Sequence, residues 1–72
     1  MPTDLETRLR AVVTLLQRNE LATARKAVEA LKPAHAQVGD VWALEGEIAL
    51  REGRVPDALA AVDRAAALEP GL

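Results

Sequence analysis

The amino-acid sequence is similar to itself when it is shifted by 34 residues. The four identical pairs under this shift are Leu16 and Leu50, Ala24 and Ala58, Ala27 and Ala61, and Val28 and Val62. The same shift pairs Asn19 with Gly53, two residue types that tolerate the left-handed backbone found at helix ends. A fixed period of this length indicates two copies of one supersecondary unit, which bury their apolar faces against each other.

The first copy is predicted to begin with a helix. Thr3 and Glu6 have the spacing of a capping box, in which a side-chain oxygen accepts an amide at the helix start. The apolar residues that follow recur with the helical period as far as Arg18 and Asn19. Glu6 and Arg10 are four residues apart, in the favourable order for a surface ion pair.

A second helix is predicted from about residue 21 to residue 32. Pro33 is expected to end it, because proline has no amide proton to donate and its ring clashes with the preceding turn. Residues 33–39 are accordingly predicted to form a loop that joins the two copies, with His35 exposed in it.

The second copy is predicted to contain a third and a fourth helix. Asp40 is expected to cap the third helix with its carboxylate, and Glu47 and Arg51 have the spacing of an ion pair. Gly53 is expected to adopt the left-handed conformation that ends this helix. Pro56 suits the first position of the fourth helix, where no amide donor is needed.

These patterns together predict an all-α fold of two antiparallel helix-turn-helix hairpins. A chain of 72 residues forms a single domain, 1–72, with the first copy over about 5–38 and the second over about 39–72. The apolar half of the composition is mostly alanine, leucine and valine, and alanine and leucine favour helix. The sequence contains no cysteine, so disulfides cannot support the small core of such a domain.

Residues 39–72 resemble a tetratricopeptide repeat. The pattern that carries the resemblance is Trp42-x3-Gly46-x6-Gly53-x4-Ala58-x6-Ala65-x4-Pro70. The resemblance implies that the two hairpins stack as a short α-solenoid. It also implies that Trp42 fills the space between the two helices of its hairpin, that Gly46 lets those helices approach closely, and that Pro70 stops the fourth helix.

The resemblance is looser elsewhere in the chain. In residues 5–38, Arg8 and Val12 stand where the pattern has tryptophan and glycine. Within the second copy, Ala49 and Val62 stand where the family usually has a tyrosine and a large aromatic residue. The core is therefore expected to be thinner than that of a typical member of the family.

The resemblance further implies a peptide-binding groove lined by the first helix of each hairpin. The groove-facing residues carried over from the family are Glu6, Leu9, Val13, Leu16 and Gln17, together with Asp40, Ala43, Glu47, Leu50 and Arg51. Some relatives bind a terminal carboxylate with lysine and asparagine at the places of Leu9 and Val13, so this activity is not expected here. An apolar peptide suits the groove better. The alternative is that these apolar side chains are core or dimer contacts.

The fourth helix is the second surface on which a partner is expected, and its candidate contact residues are Leu59 and Val62. From Ala58 to Leu68, nine of eleven residues are apolar, so this helix is expected to be buried on more than one side. Repeat arrays usually end in a polar capping helix and need about three units for stability. The chain is therefore expected to belong to a longer repeat array or to form a homo-oligomer through this helix.

Residue types that carry catalysis or bind cofactors are scarce. Cysteine and serine are absent, His35 is the single histidine, and no glycine-rich phosphate loop or metal-ligand spacing occurs. Glu45, Glu47 and Glu52 are interpreted as a solvated acidic face, and Trp42 as a packing residue and not a ligand-stacking one. We therefore expect no enzymatic activity, no cofactor and no metal.

Charge and hydropathy narrow the range of partners. The net charge is −2 with scattered basic residues, so a helix-turn-helix DNA-binding protein, which needs a basic recognition helix, is not expected. No apolar run is long enough for a membrane span, and no signal-peptide pattern opens the chain. The expected protein is a cytoplasmic module that binds a protein or peptide. The alternative is a homo-oligomeric assembly element with no peptide ligand.

Overall fold

The structure, a computed structural model, describes residues 3–68, and these form four α-helices. The helices are α1 Asp4–Gln17, α2 Leu21–His35, α3 Gly39–Arg51 and α4 Val55–Leu68. Between residues 3 and 68 there is no strand, so the predicted all-α fold of packed helical hairpins is confirmed, and it is consistent with a short helical solenoid. Pro70, which was predicted to stop the fourth helix, lies outside the described residues.

The start of α1 is capped as predicted. The Glu6 amide donates to Thr3 Oγ1 at 3.1 Å, which satisfies one of the free donors of the first turn. The predicted ion pair between Glu6 and Arg10 is not formed within residues 3–68. Arg8 Nε lies 3.1 Å from Asp4 Oδ2 instead, and both side chains are exposed, so this pair adds little to stability.

The turns of the two hairpins have the same backbone geometry, 34 residues apart. Asn19 has a φ of 59° and Gly53 a φ of 80°, so both adopt the predicted left-handed conformation. The Asn19 amide donates to the Leu16 carbonyl at 2.9 Å, and the Gly53 amide donates to the Leu50 carbonyl at 3.1 Å. The ends of α1 and α3 and the starts of α2 and α4 keep the same offset.

Helix α2 does not stop at Pro33, so the predicted loop over residues 33–39 is wrong. The helix continues through Pro33 to His35. Proline removes the amide that would bond the Glu29 carbonyl, but this loss falls in the last turn, where the buried Leu31 holds the helix against the core. His35 is accordingly helical and half-buried, and it is not an exposed loop residue.

Helix α3 begins two residues earlier than predicted and has no side-chain cap. Its N-cap residue is Val38, whose carbonyl accepts the Val41 amide at 3.1 Å. Asp40 lies inside the first turn, where its charge suits the positive end of the helix dipole, but it does not cap the helix. Pro56 is the second residue of α4 and not the first, and in either position its missing amide has no helical acceptor to lose.

The core lies between α1, α2 and α3. Its buried members are Val12, Leu16, Ala24, Val28, Leu31, Val41 and Ile48. Helix α3 packs against each of the other three helices, whereas within residues 3–68 α4 packs against α3 alone. Within the described chain the buried residues of α4 are Ala58 and Ala61. Burial of a second side of α4, which was expected from a further repeat or another copy, stays a prediction.

Helices α3 and α4 approach each other closely at Gly46, as predicted. A Cβ atom placed on Gly46 would lie 3.0 Å from Val62 Cγ2 and 3.4 Å from the Ala58 carbonyl oxygen. Ala58 and Ala61 are the small residues that face it from α4. Because the contact has small residues on both sides, the two backbones can pack closely without a large side chain between them.

Two ion pairs join α2 to α3, and they correct the interpretation of the acidic residues on α3. Arg25 Nη2 donates to Glu52 Oε2 at 2.8 Å, and Lys32 pairs with Glu45. Both glutamates are largely buried against these partners, so they do not form a solvated acidic face. The predicted pair between Glu47 and Arg51 is confirmed.

Candidate binding surfaces

The first candidate surface is a depression between α3 and α4, here called the α3–α4 groove. Its volume is about 210 Å³. The residues that line it are Ala43, Gly46, Glu47, Leu50, Val55, Ala58, Leu59 and Val62. Leu50 was predicted to line a peptide groove, and Leu59 and Val62 were predicted to form a separate surface on the fourth helix. In the folded chain these residues form one continuous surface.

Large apolar side chains are concentrated in the α3–α4 groove. Within residues 3–68 the exposed large apolar side chains are those of Val13, Leu50, Val55, Leu59 and Val62. Leu50, Leu59 and Val62 are 56%, 62% and 51% exposed, and of the five only Val13 lies outside the groove. Contiguous apolar patches occur at interaction surfaces more often than singly scattered exposed apolar residues do.

Val55 was missed by the sequence analysis. It lies four residues before Leu59 and seven before Val62, which is the spacing of one helix face. That spacing is the sequence signal that identifies it. Val55 belongs with Leu59 and Val62 as the stripe of α4 that faces the groove.

The second candidate surface is a depression between α1 and α3, here called the α1–α3 groove. It has a volume of about 280 Å³. Its lining residues are Leu9, Arg10, Val13, Asp40, Ala43 and Leu44. Leu9 is half-buried against the core, while Val13 is exposed. Ala43 lines both grooves, so the two surfaces meet on α3.

Four residues of the predicted groove are placed differently by the fold. Leu16 is buried beneath α3, with 5% of its surface exposed, so it is removed from the groove-facing set. Gln17 and Glu6 are exposed, but they line neither groove. Arg51 lies at the end of α3 and is engaged within the molecule.

The guanidinium of Arg51 links α3 to α1. Its Nε donates to Glu47 Oε2 at 2.7 Å, and its Nη1 donates to the Leu16 carbonyl at 2.7 Å. The second bond places a positive charge at the carboxyl end of α1, where the helix dipole favours it. Glu47, which lines the α3–α4 groove, is therefore already paired before any partner binds.

A third and larger depression, of about 680 Å³, lies on the opposite side of α4 and was not predicted. Its lining residues are Glu29, Trp42, Glu45, Ala49, Arg54, Asp57, Ala60, Ala61, Asp63, Arg64 and Ala67. Charged side chains of both signs surround it, and Arg54 pairs with Asp57 at 3.4 Å. It lacks the concentration of exposed large apolar side chains that distinguishes the α3–α4 groove.

Trp42 lies in this third depression with its polar and aromatic groups occupied. Its Nε1 donates to the Ala36 carbonyl at 2.9 Å. Lys32 Nζ lies 5.0 Å and Arg64 Cζ 4.9 Å from the ring centroid, within the range of cation–π attraction. Trp42 thus bridges α2 and α4, and it does not simply fill the space within its own hairpin.

Several titratable side chains of residues 3–68 form ion pairs with each other, and none are grouped at the spacing that a metal ion needs. Among the described residues no group of three or more acidic or histidine side chains could hold a metal ion. The carboxylates of Glu45, Glu47 and Glu52 each face a lysine or arginine partner.

No protein-family model, no curated protein and no solved structure matches this chain. Of the helices that the structure describes, none has both the length and the apolar content required to cross a membrane.

Proposed function

We propose that this chain is a tetratricopeptide-like interaction module that binds an α-helical segment of another protein in the α3–α4 groove. The observation that carries the proposal is the clustering of Leu50, Val55, Leu59 and Val62 in one groove. Its activity is binding and not catalysis. A groove between two packed helices accepts the apolar face of a third helix, which is a common mode of peptide recognition.

The polar groups around the α3–α4 groove favour an apolar partner face. Among the described residues that line the groove, Glu47 is the charged one, and Arg51 already neutralises it. A partner helix therefore needs no buried charge of its own, since an unpaired charge in such a site would be costly. Four exposed large apolar side chains can supply the central contacts that dominate binding energy.

Self-association through the same groove is the second candidate. A two-fold symmetric dimer would bring two copies of the groove together, and like charges would then face each other. Because Glu47 is paired with Arg51, this repulsion would be small. In this case the chain would be an assembly element with no peptide ligand.

A peptide display library tests the proposal. Peptides of about five helical turns, with randomised residues at the i, i+3, i+4 and i+7 positions of one face, are selected against the full chain. We expect selected peptides to perturb the amide resonances of Leu50, Leu59 and Val62. The variant Val62→Glu should weaken binding about tenfold or more, because it puts a charge at the centre of the apolar contact.

Ala60→Glu is the matched control, since Ala60 lies on α4 but lines the third depression. This variant should bind selected peptides as the unmodified chain does. A library that yields no peptide bound at the α3–α4 groove would contradict the proposal. Sedimentation equilibrium separates the second candidate, because a dimer that dissociates in Val62→Glu, with no peptide bound by either form, would favour self-association.

A further inference from the structure

The α3–α4 groove corresponds, under the 34-residue shift, to a groove that is filled in the folded chain. Helices α1 and α2 form that earlier groove, and α3 lies in it. The shift pairs Leu16, which is 5% exposed, with Leu50, which is 56% exposed. It also pairs Val28 at 1% with Val62 at 51%. The same side chains at the same positions are covered in one copy and open in the other.

A backbone acceptor repeats along with the side chains. The Leu16 carbonyl accepts the Asn19 amide at 2.9 Å and also Arg51 Nη1 at 2.7 Å. The Leu50 carbonyl accepts the Gly53 amide at 3.1 Å, and it accepts no side chain from residues 3–68. Because a carbonyl oxygen can accept two hydrogen bonds, Leu50 retains a site for a donor from outside.

From these correspondences we infer that the partner helix docks on α3 and α4 as α3 docks on α1 and α2. It lies parallel to α3, it carries apolar residues at the spacing of Val41, Leu44 and Ile48, and its arginine at the position of Arg51 donates to the Leu50 carbonyl. This inference rests on the proposed function, and it specifies the partner's sequence pattern and its direction.

The ion pairs of α3 define where the partner must differ from α3. Glu45 pairs with Lys32 and Glu52 pairs with Arg25 on α2. The shift places Ala66 and Leu59 on α4 where α2 has Lys32 and Arg25. A partner with glutamate at these two positions would face apolar groups with unpaired charges, so small or apolar residues are required there.

A second copy of this chain stacked head to tail does not supply this partner. In a head-to-tail stack α1 of the next copy would take the place of the partner helix. The shift pairs Val41, Leu44 and Ile48 with Thr7, Arg10 and Thr14, which are exposed on α1. A helix face of two threonines and an arginine does not match an apolar groove, which argues against this head-to-tail stack and favours a helix of a different protein as the occupant.

The test uses a synthetic peptide of residues 37–54 that carries Glu45→Ala and Glu52→Leu, titrated into the full chain labelled with ¹⁵N. We expect the amide resonances of Leu50, Leu59 and Val62 to shift when the peptide is added. The substitution Val62→Glu in the chain should abolish binding. The additional change Arg51→Gln in the peptide should weaken binding about tenfold, because it removes a hydrogen bond from a charged donor. The peptide that keeps Glu45 and Glu52 should bind more weakly than the peptide that replaces them.

The direction in which the peptide binds is read from a spin label attached to the peptide. No residue of the chain has to be replaced first, because the chain contains no cysteine. A label at the peptide's carboxyl end should broaden the amide resonance of Val55, and a label at its amino end should broaden that of Ala65. The reverse pattern would overturn the inference, as would equal binding of the Arg51→Gln peptide. Peptide shifts confined to Val12 and Val28 would mean that the peptide replaces α3, and would also overturn it.

Failure of this inference is distinguishable from failure of the proposed function. If display peptides bind the α3–α4 groove but the α3-derived peptide does not, the proposed function is supported and the inferred docking mode is wrong. If neither kind of peptide binds there, the proposed function is wrong as well.

Discussion

Asn19 and Gly53 set the direction in which each hairpin closes, because both residues place the chain in the left-handed region immediately after a helix. An asparagine side chain tolerates this conformation, and glycine adopts it without strain. The two residues are the backbone reason that α2 and α4 leave their turns at equivalent positions. This conformation depends on local sequence, so it could be recognised without knowledge of the fold.

Replacing Gly53 with alanine tests this role. We expect Gly53→Ala to lower the free energy of unfolding by about 1–2 kcal/mol, since a Cβ at a φ of 80° is strained although the space around it is open. Urea unfolding followed by circular dichroism measures the change. Asn19→Gly is the control and should change stability by no more than about 0.5 kcal/mol. An unchanged midpoint for Gly53→Ala would show that the turn does not hold this conformation.

Arg51 makes one contact that its local sequence predicts and one that it does not. Its pair with Glu47 follows from a spacing of four residues on one helix, so the sequence predicted it. Its bond to the Leu16 carbonyl joins residues 35 positions apart, and no local pattern encodes it. Only the packing of α3 against α1 brings the two groups together.

At the scale of the helices, α2 shows how packing can override a local stop signal. Proline disfavours helix for itself and for the residue before it. Leu31 and Lys32, which precede Pro33, are nonetheless held by the core and by Glu45 of α3. The last turn of α2 therefore forms because tertiary contacts outweigh a local cost.

Replacing Pro33 should remove this local cost and stabilise the folded chain. We expect Pro33→Ala to raise the free energy of unfolding by about 1 kcal/mol, because the new amide can bond the Glu29 carbonyl and the ring clash disappears. Thermal and urea unfolding provide the measurement. Pro33→Gly restores the same amide without the helix propensity of alanine and should gain less. A lower stability for Pro33→Ala would indicate that the ring itself contributes to the end of α2.

Helix α4 depends on α3 for its place in the molecule. Within the described chain it packs on α3 alone, through small residues around Gly46. Its stripe of Val55, Leu59 and Val62 remains open. An apolar helix with one packed side and one open stripe is a surface that a further helix can cover.

At the scale of the whole molecule, the two ends of the helical stack differ. The exposed face of α1 carries Thr7, Arg10 and Thr14, which are compatible with water. The opposite end exposes Leu50 and Val62. The molecule therefore has one end suited to solvent and one suited to a partner, and this polarity underlies the proposed function.

The same polarity predicts unequal losses of stability for an identical substitution at repeat-related positions. Leu16→Ala should cost about 2–5 kcal/mol, because it leaves a cavity in the core beneath α3. Leu50→Ala should cost less than about 1 kcal/mol in the free chain, because the side chain is mostly exposed. Urea unfolding of both variants measures the difference.

A small domain has a few kcal/mol of stability in total, so Leu16→Ala can leave the chain unfolded, which would itself agree with the prediction. Circular dichroism in the absence of urea identifies that outcome. Similar costs at the two positions would mean that Leu50 is covered in solution, as it would be in a dimer. Repeating the measurement across a concentration series separates that case, because dimer stability depends on protein concentration.

The helical pattern, the 34-residue register, the cap at Thr3 and the turns at Asn19 and Gly53 were determined by the sequence alone. The helical pattern, the cap and the turns each depend on residues within one or two helical turns, where periodicity and backbone preference act directly. The register follows from comparing the two copies along the chain. Burial was decided only by the tertiary structure. Leu16 and Leu50 are the same residue in the same register, and they differ because α3 covers one of them and no described helix covers the other.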